Sequence, residues 1–214
     1  MIRSVIFDLD GVLCYTDLLH YKAWKAICDE YAFKFTEEDN LRLRGVSRSD
    51  CVDIILNLQE KVPADFDALV FATKKNALYV SLLQDIGHEL LDVETVLVLS
   101  QLKERGIGIG LGSSSKNALL IVEKLGIMSY FDAIVDGSVL TRSKPSPEVF
   151  IRAAERLGVV CRDCLVVEDA RAGIEAAIAG GFRTAGIGAV ARLGMVDYCL
   201  HRLSDVLNIE ELPL

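Results

Sequence analysis

The sequence predicts an α/β protein: a parallel sheet covered by helices on both faces, with an all-helical segment inserted after its first strand. Three observations lead there. Short apolar, β-prone runs alternate with helical patterns in the second half of the chain. Residues 14–88 carry apolar residues at helical spacing and no convincing strand. Acidic, hydroxyl and basic residues recur at the C-terminal ends of the expected strands, where open parallel sheets keep their sites.

Taken in order, Val5-Ile6-Phe7 reads as a buried strand that stops at Asp8-Leu9-Asp10-Gly11, a glycine turn. Four helices are expected next, over Leu18 to Tyr31, Glu37 to Leu43, Asp50 to Leu58 and Phe66 to Leu83. In the last of these, Leu69, Thr73, Asn76 and Val80 form one stripe and Phe66, Val70 and Ala77 another. Residues 1–13 and 89–214 are therefore assigned to an α/β core and 14–88 to a helical cap. Further strands are expected at Ile107 to Leu111, Ala133 to Val135 and Leu165 to Val167. Each is followed by a helix, beginning near Lys116, after Pro147 and near Ala172. The period-two glycines Gly106, Gly108, Gly110 and Gly112 mark one face of a strand lying close to a helix. Gly186-x-Gly188-x-x-Ala191 formally matches a dinucleotide fingerprint, but too little chain follows for the βαβ unit that gives it meaning, so a loop after a late strand is expected.

With 51% hydrophobic residues, 25% charged residues and four prolines in 214, the composition is that of a folded protein. The net charge of −8 disfavours general affinity for nucleic acid or anionic lipid, so an anionic substrate needs a local positive pocket. No apolar run approaches a membrane span, and a cytoplasmic monomer is expected. The six cysteines are scattered, and free thiols are expected. Cys161-x-x-Cys164 has neither a second pair nor a histidine at zinc-ligand spacing.

The chemistry begins at Asp8 and Asp10, two carboxylates that repel unless a cation or a proton intervenes. Glu168-Asp169 adds acid at another strand end, and hard oxygen ligands with room for water suit Mg²⁺. An Asp-x-Asp alone is more often a turn than a site. Here Lys144 and Ser113 add a cation and a hydroxyl, and Ser113-Ser114-Ser115 is expected to open a helix whose first N–H groups hold an anion. Such a set describes phosphoryl transfer, in which a carboxylate attacks phosphorus to give an aspartyl phosphate.

With Asp8-Leu9-Asp10-Gly11-Val12, Ser113, Lys144-Pro145 and Glu168-Asp169 followed by Ala172-Gly173-Ile174 in this order, the chain resembles the haloacid dehalogenase superfamily. The resemblance implies a Rossmann-like core, Asp8 as nucleophile and Asp10 as general acid/base. It also implies Ser113, Ser114 and Lys144 as phosphate holders. Asp8, Glu168 and Asp169 become the magnesium side of the site, with Asp10 contributing its main-chain carbonyl.

Within that superfamily, His20-x-x-x-Trp24, Arg44-Gly45-Val46-Ser47-Arg48, Lys75-Asn76 and Ser115-Lys116-Asn117 look like the β-phosphoglucomutase branch. This likeness implies a second anion pocket of Arg48, Ser115, Lys116 and Asn117, and a coupling of cap closure to Asp10 through His20 and Lys75. Trp24 shares a helix face with His20, and Thr16 fits a hinge position. Lys75, next to Lys74, fits a solvated helix face equally well. Tyr15 and Cys51 depart from the branch, which usually has a small acidic residue and a serine there.

The function implied is a magnesium-dependent isomerase of β-glucose 1-phosphate and glucose 6-phosphate, working through a bisphosphate. The alternative is a sugar-phosphate phosphatase on the same core, with water as acceptor. A catalytically dead binding protein predicts loss of Asp8, Asp10, Lys144 or Asp169, and all four are present.

Overall fold

The computed structural model describes residues 1–213. Six strands form one parallel sheet: β1 (Ser4–Phe7), β2 (Gly108–Gly112), β3 (Ala133–Val135), β4 (Cys164–Glu168), β5 (Arg183–Ile187) and β6 (Tyr198–Leu200). Their order across the sheet is β3-β2-β1-β4-β5-β6, so the order reverses between β1 and β4. Ligand sites of open α/β sheets lie beyond the strand ends at such a switch.

The strands alternate in the side they bury. Val5, Phe7, Ile109, Leu111, Leu165 and Val167 meet one helical layer, which includes α5 (Thr95–Glu104) and α6 (Ala118–Lys124). Ile6, Val135, Cys164 and Val166 face the other way, onto α7 (Glu148–Leu157) and α8 (Arg171–Ala179). Burial on both faces explains why these segments read as continuous apolar runs. Gly108, Gly110 and Gly112 do lie on one face: a Cβ on Gly110 or Gly112 comes within 3.1 Å of Leu157 or 2.8 Å of Phe150 on α7. Gly106 stands apart from this row, in a left-handed turn before the strand.

Between β1 and α5 run α1 (Asp17–Glu30), α2 (Glu37–Leu41), α3 (Arg48–Asn57) and α4 (Ala68–Leu82). They enclose an aromatic-rich core of their own, in which Trp24, Phe33, Phe35 and Phe71 share one buried cluster with Ile55. The chain enters and leaves this bundle through one paired crossing. Tyr15 N–H donates to Leu90 C=O at 2.8 Å and Asp92 N–H to Leu13 C=O at 3.0 Å.

Three details differ from the sequence-based expectation. In α4 the buried stripe is Phe71, Lys75 and Tyr79, whereas Leu69 is 77% exposed and Val70 43%. Packing against the Trp24 cluster selects that stripe over the more apolar one, because two aromatic rings lie on it. Ser113-Ser114-Ser115 does not open a helix, since α6 begins only at Ala118 and the serines form the loop leading to it. Finally, β6 and α5 had no sequence signal assigned to them. β6 is a three-residue edge strand, too short to show alternation. Gly186 lies within β5, and the following turn at Gly188 leads to a single 3-10 turn.

Candidate active site

At the reversal between β1 and β4 the backbone fixes the first group: Asp8 N–H donates to Val167 C=O at 3.0 Å. Lys144 reaches this point from the loop before α7, fully buried, and donates to Asp8 Oδ1 at 2.5 Å and Glu168 Oε1 at 2.6 Å. The other Glu168 oxygen accepts Ala170 N–H at 2.7 Å. Burial alone pushes the Lys144 ammonium down, but the Asp8 and Glu168 charges outweigh it and hold it firmly protonated.

Two glycines make this crowding possible. Gly173, in the first turn of α8, lies where a Cβ falls 1.8 Å from Glu168 Oε1. Gly11, at φ +83°, lies where a Cβ falls 2.1 Å from Asp169 Oδ2. Any side chain there displaces an acid of the site.

Carboxylate oxygens of Asp8, Glu168 and Asp169 lie within 4.8 Å of one another. Burial, then the neighbouring carboxylates, raises Asp169 and Glu168 above the ordinary carboxylate range. Lys144 neutralises only part of this charge. Three close oxygen donors of one sign fit a hard divalent cation such as magnesium, with Asp169 in the most open position.

Asp10 is engaged elsewhere. Thr16 Oγ1 donates a short hydrogen bond to Asp10 Oδ1, and Tyr79 O–H in turn donates to Thr16 Oγ1 at 3.0 Å. Burial pushes the Asp10 carboxyl up to about 7, against the Thr16 hydrogen bond and with help from Asp8. That value suits a group that gives and takes protons near neutrality.

Lys75 is buried, not solvated. Its ammonium lies 4.6 Å from the Trp24 ring centroid and 4.7 Å from that of Tyr79, and it donates to His20 Nδ1 at 2.9 Å. His20 stacks on Tyr79 with centroids 4.0 Å apart. Burial and the adjacent Lys75 push His20 well below its ordinary value, leaving its ring neutral and Nδ1 an acceptor. Burial likewise pushes Lys75 down to about 7.

Of these residues, Asp8, Asp10, Gly11, His20, Trp24, Lys75, Lys144 and Asp169 line one cavity of about 1300 Å³, together with Arg48, Ser113, Ser114, Ser115, Lys116 and Asn117, while Thr16, Tyr79, Glu168 and Gly173 lie behind its wall. Ser113 Oγ accepts Ser115 N–H at 3.1 Å and Ser115 Oγ accepts Asn117 N–H at 3.2 Å, which tightens the loop. Ser114 donates to Gly45 C=O at 3.2 Å and Asn117 to Asn76 Oδ1 at 3.0 Å, both reaching the helical bundle. Arg48 and Lys116 make no ion pair among the described residues.

Tyr79, Asp50 and Ser143 escaped the sequence reading. Tyr79 had a usable signal, being one helical turn beyond Lys75 and two beyond Phe71. Thr16, expected at a hinge, is also the hydroxyl that holds Asp10.

A family model described as haloacid dehalogenase-like hydrolase matches residues 2–181. The chain belongs to this family. Haloacid dehalogenase-like proteins resembling it include a β-phosphoglucomutase of Bacillus subtilis, 36% identical over 206 residues, covering 95% of this chain and 91% of that one. A fructose-1-phosphate phosphatase of Escherichia coli is 33% identical over 178 residues, covering 83% and 92%. A crystal structure of β-phosphoglucomutase from Clostridium difficile superposes with a TM-score of 0.88 at 32% identity, covering 96% of this chain and 93% of that one. The protein is thus an enzyme of the haloacid dehalogenase superfamily with mutases and phosphatases of phosphorylated sugars among its relatives.

Proposed function

We propose that this haloacid dehalogenase-like enzyme is a β-phosphoglucomutase, interconverting β-D-glucose 1-phosphate and D-glucose 6-phosphate. The observation that carries the reading is the pair of cations without an ion-pair partner among the described residues, Arg48 and Lys116, on the wall of the cavity that also holds Asp8 and Lys144. A monophosphate needs one anion site, and a sugar that passes through a bisphosphate needs two. A guanidinium without a carboxylate is free to take two phosphate oxygens at once.

In this mechanism an oxygen of Asp8 attacks phosphorus while Lys144 spreads the charge on the transferring oxygens. Magnesium, held by Asp8, Glu168 and Asp169, supplies further charge neutralisation when bound. Asp10 protonates the departing sugar oxygen and later takes the proton from the hydroxyl that attacks phospho-Asp8. Thr16 and Tyr79 orient Asp10, while Arg48, Ser115, Lys116 and Asn117 hold the far phosphate. His20 and Lys75 form the cap wall above Asp10.

A coupled assay for glucose 6-phosphate from β-glucose 1-phosphate, with magnesium and a trace of the bisphosphate, tests this beside a free-phosphate assay. Isomerisation is expected to exceed phosphate release. Dominant phosphate release from every sugar phosphate tried rejects the mutase in favour of a phosphatase. Arg48→Ala is expected to weaken bisphosphate use about 100-fold while acetyl phosphate, which has no second phosphate, suffers far less.

A further inference from the structure

Asp50 lies in the first turn of α3, two residues beyond Arg48, and has no basic partner among the described ion pairs. Its Oδ2 accepts two hydroxyls: Ser47 Oγ at 2.8 Å, and Ser143 Oγ in a short hydrogen bond that joins the helical bundle to the sheet domain. Ser143 immediately precedes Lys144. Both sides of this contact are held rigidly. Ser47 caps α3 by accepting Asp50 N–H at 3.2 Å. Across the seam, Glu148 accepts the N–H groups of Thr141 at 3.0 Å and Arg142 at 2.8 Å and the Thr141 hydroxyl at 2.7 Å, while Arg152 grips Glu148 at 2.8 Å. The Asp50–Ser143 bond therefore joins a fixed turn carrying Arg48 to a fixed loop carrying Lys144.

We propose that Asp50 is a positioning residue: through Ser143 it fixes the spacing between Arg48 and Lys144 and keeps the seam of the cavity shut while Asp8 is phosphorylated. The proposal rests on the phospho-Asp8 intermediate of the function above. With the seam open, water attacks phosphorus and a P–O bond forms as the bond to the Asp8 oxygen breaks. Inorganic phosphate leaves, Asp8 returns as carboxylate, and the proton of the water passes to Asp10.

The test follows decay of the phosphoenzyme formed from acetyl phosphate and magnesium on the full chain, together with KM and kcat for β-glucose 1-phosphate. Ser143→Ala leaves the Ser47–Asp50 cap of α3 in place and so isolates the bond across the seam. Phosphoenzyme decay is expected to quicken about fivefold, with KM rising more than kcat falls, as loss of one charge-assisted hydrogen bond implies. Ser143→Thr is expected to restore both, and Asp50→Ala combined with Ser143→Ala to add little to either change alone. Wild-type decay in Ser143→Ala, or additive effects in the double variant, overturns the proposal. A wild-type chain that forms phosphoenzyme without isomerising glucose phosphates rejects the mutase reading only, and the decay rates still decide the role of Asp50.

Discussion

At the scale of single residues, the site separates two carboxylates by two different neighbours. Asp8 faces Lys144, and Asp10 faces a hydroxyl chain from Tyr79 through Thr16. The same residue type thereby serves as nucleophile and as proton carrier in the proposed reaction. Asp10→Asn keeps the shape and is expected to lower kcat by roughly 10²–10⁴-fold, measured with β-glucose 1-phosphate. Asp8→Ala is expected to form no phosphoenzyme at all, by quench and mass measurement. Thr16 stabilises the charged form of Asp10, so Thr16→Val is expected to raise the Asp10 pKa above about 7. The limb of the pH–rate profile that needs ionised Asp10 then moves to higher pH; a shift downward contradicts the hydrogen-bond assignment. Asp8, Asp10 and Glu168 were legible because strand ends announce themselves in a run of apolar residues, and Lys144 through the Lys-Pro pair in the loop that follows β3. Asp50 and Ser143 were not, because a pair 93 residues apart leaves no periodic trace in either local segment.

At the scale of elements, α4 shows how tertiary packing overrides hydropathy. Leu69 and Val70 are turned outward, and a lysine occupies the buried stripe between Phe71 and Tyr79. The sequence could announce a helix here, since spacing along one helix is local. Its orientation depends on Trp24 and His20 from α1, whose rings accept the ammonium and its hydrogen bond. This arrangement carries a pH signature. Lys75 has a folded-state pKa of about 7, depressed from an ordinary 10.5, so the unfolded chain binds the extra proton between those values. The resulting penalty is full below pH 7, fades as pH rises, and is gone above 10.5. Lys75→Met is therefore expected to be most stabilising relative to the parent at or below pH 7, with the difference shrinking by up to about 1.4 kcal/mol per pH unit on the way to pH 10. Urea melts of both proteins across that range check the sign. The serine loop after β2 was misjudged for a related reason: serines favour helix starts, but here Ser113 and Ser115 spend their hydroxyls on the N–H groups two residues ahead and delay the helix.

For the whole molecule, the parallel sheet was legible in the alternation of strands and helices, while the strand order with its switch point and the shared cavity required the fold. The cavity draws on the ends of β1, β2, β4 and β5, the Lys144 loop and all four of the bundle's helices. The acid cluster gives a measurement independent of turnover. Three carboxylates gathered within 4.8 Å resist folding unless screened, so magnesium is expected to raise stability by about 2.7 kcal/mol at one hundred times its dissociation constant. Asp169→Asn is expected to lose most of that gain in a thermal melt. An unchanged melting temperature on adding magnesium to the parent argues against the three acids as ligands. The net charge of −8, which disfavours general affinity for nucleic acid, sits beside a cavity whose wall carries Arg48 and Lys116 without an ion-pair partner among the described residues, while Lys144 is taken up by Asp8 and Glu168.

The paired crossing at Leu13, Tyr15, Leu90 and Asp92 has a consequence for how such enzymes diverge. Because the two chain passages hydrogen-bond to each other, the covalent connection between bundle and sheet is a single narrow neck, and the phenol of Tyr15 braces that neck on Asp92 Oδ2 at 2.7 Å. Substitutions inside the bundle that spare Asp50 and the other contacts across the seam can then reshape what is admitted without moving Asp8, Lys144 or the acids, much as a tool holder accepts different bits.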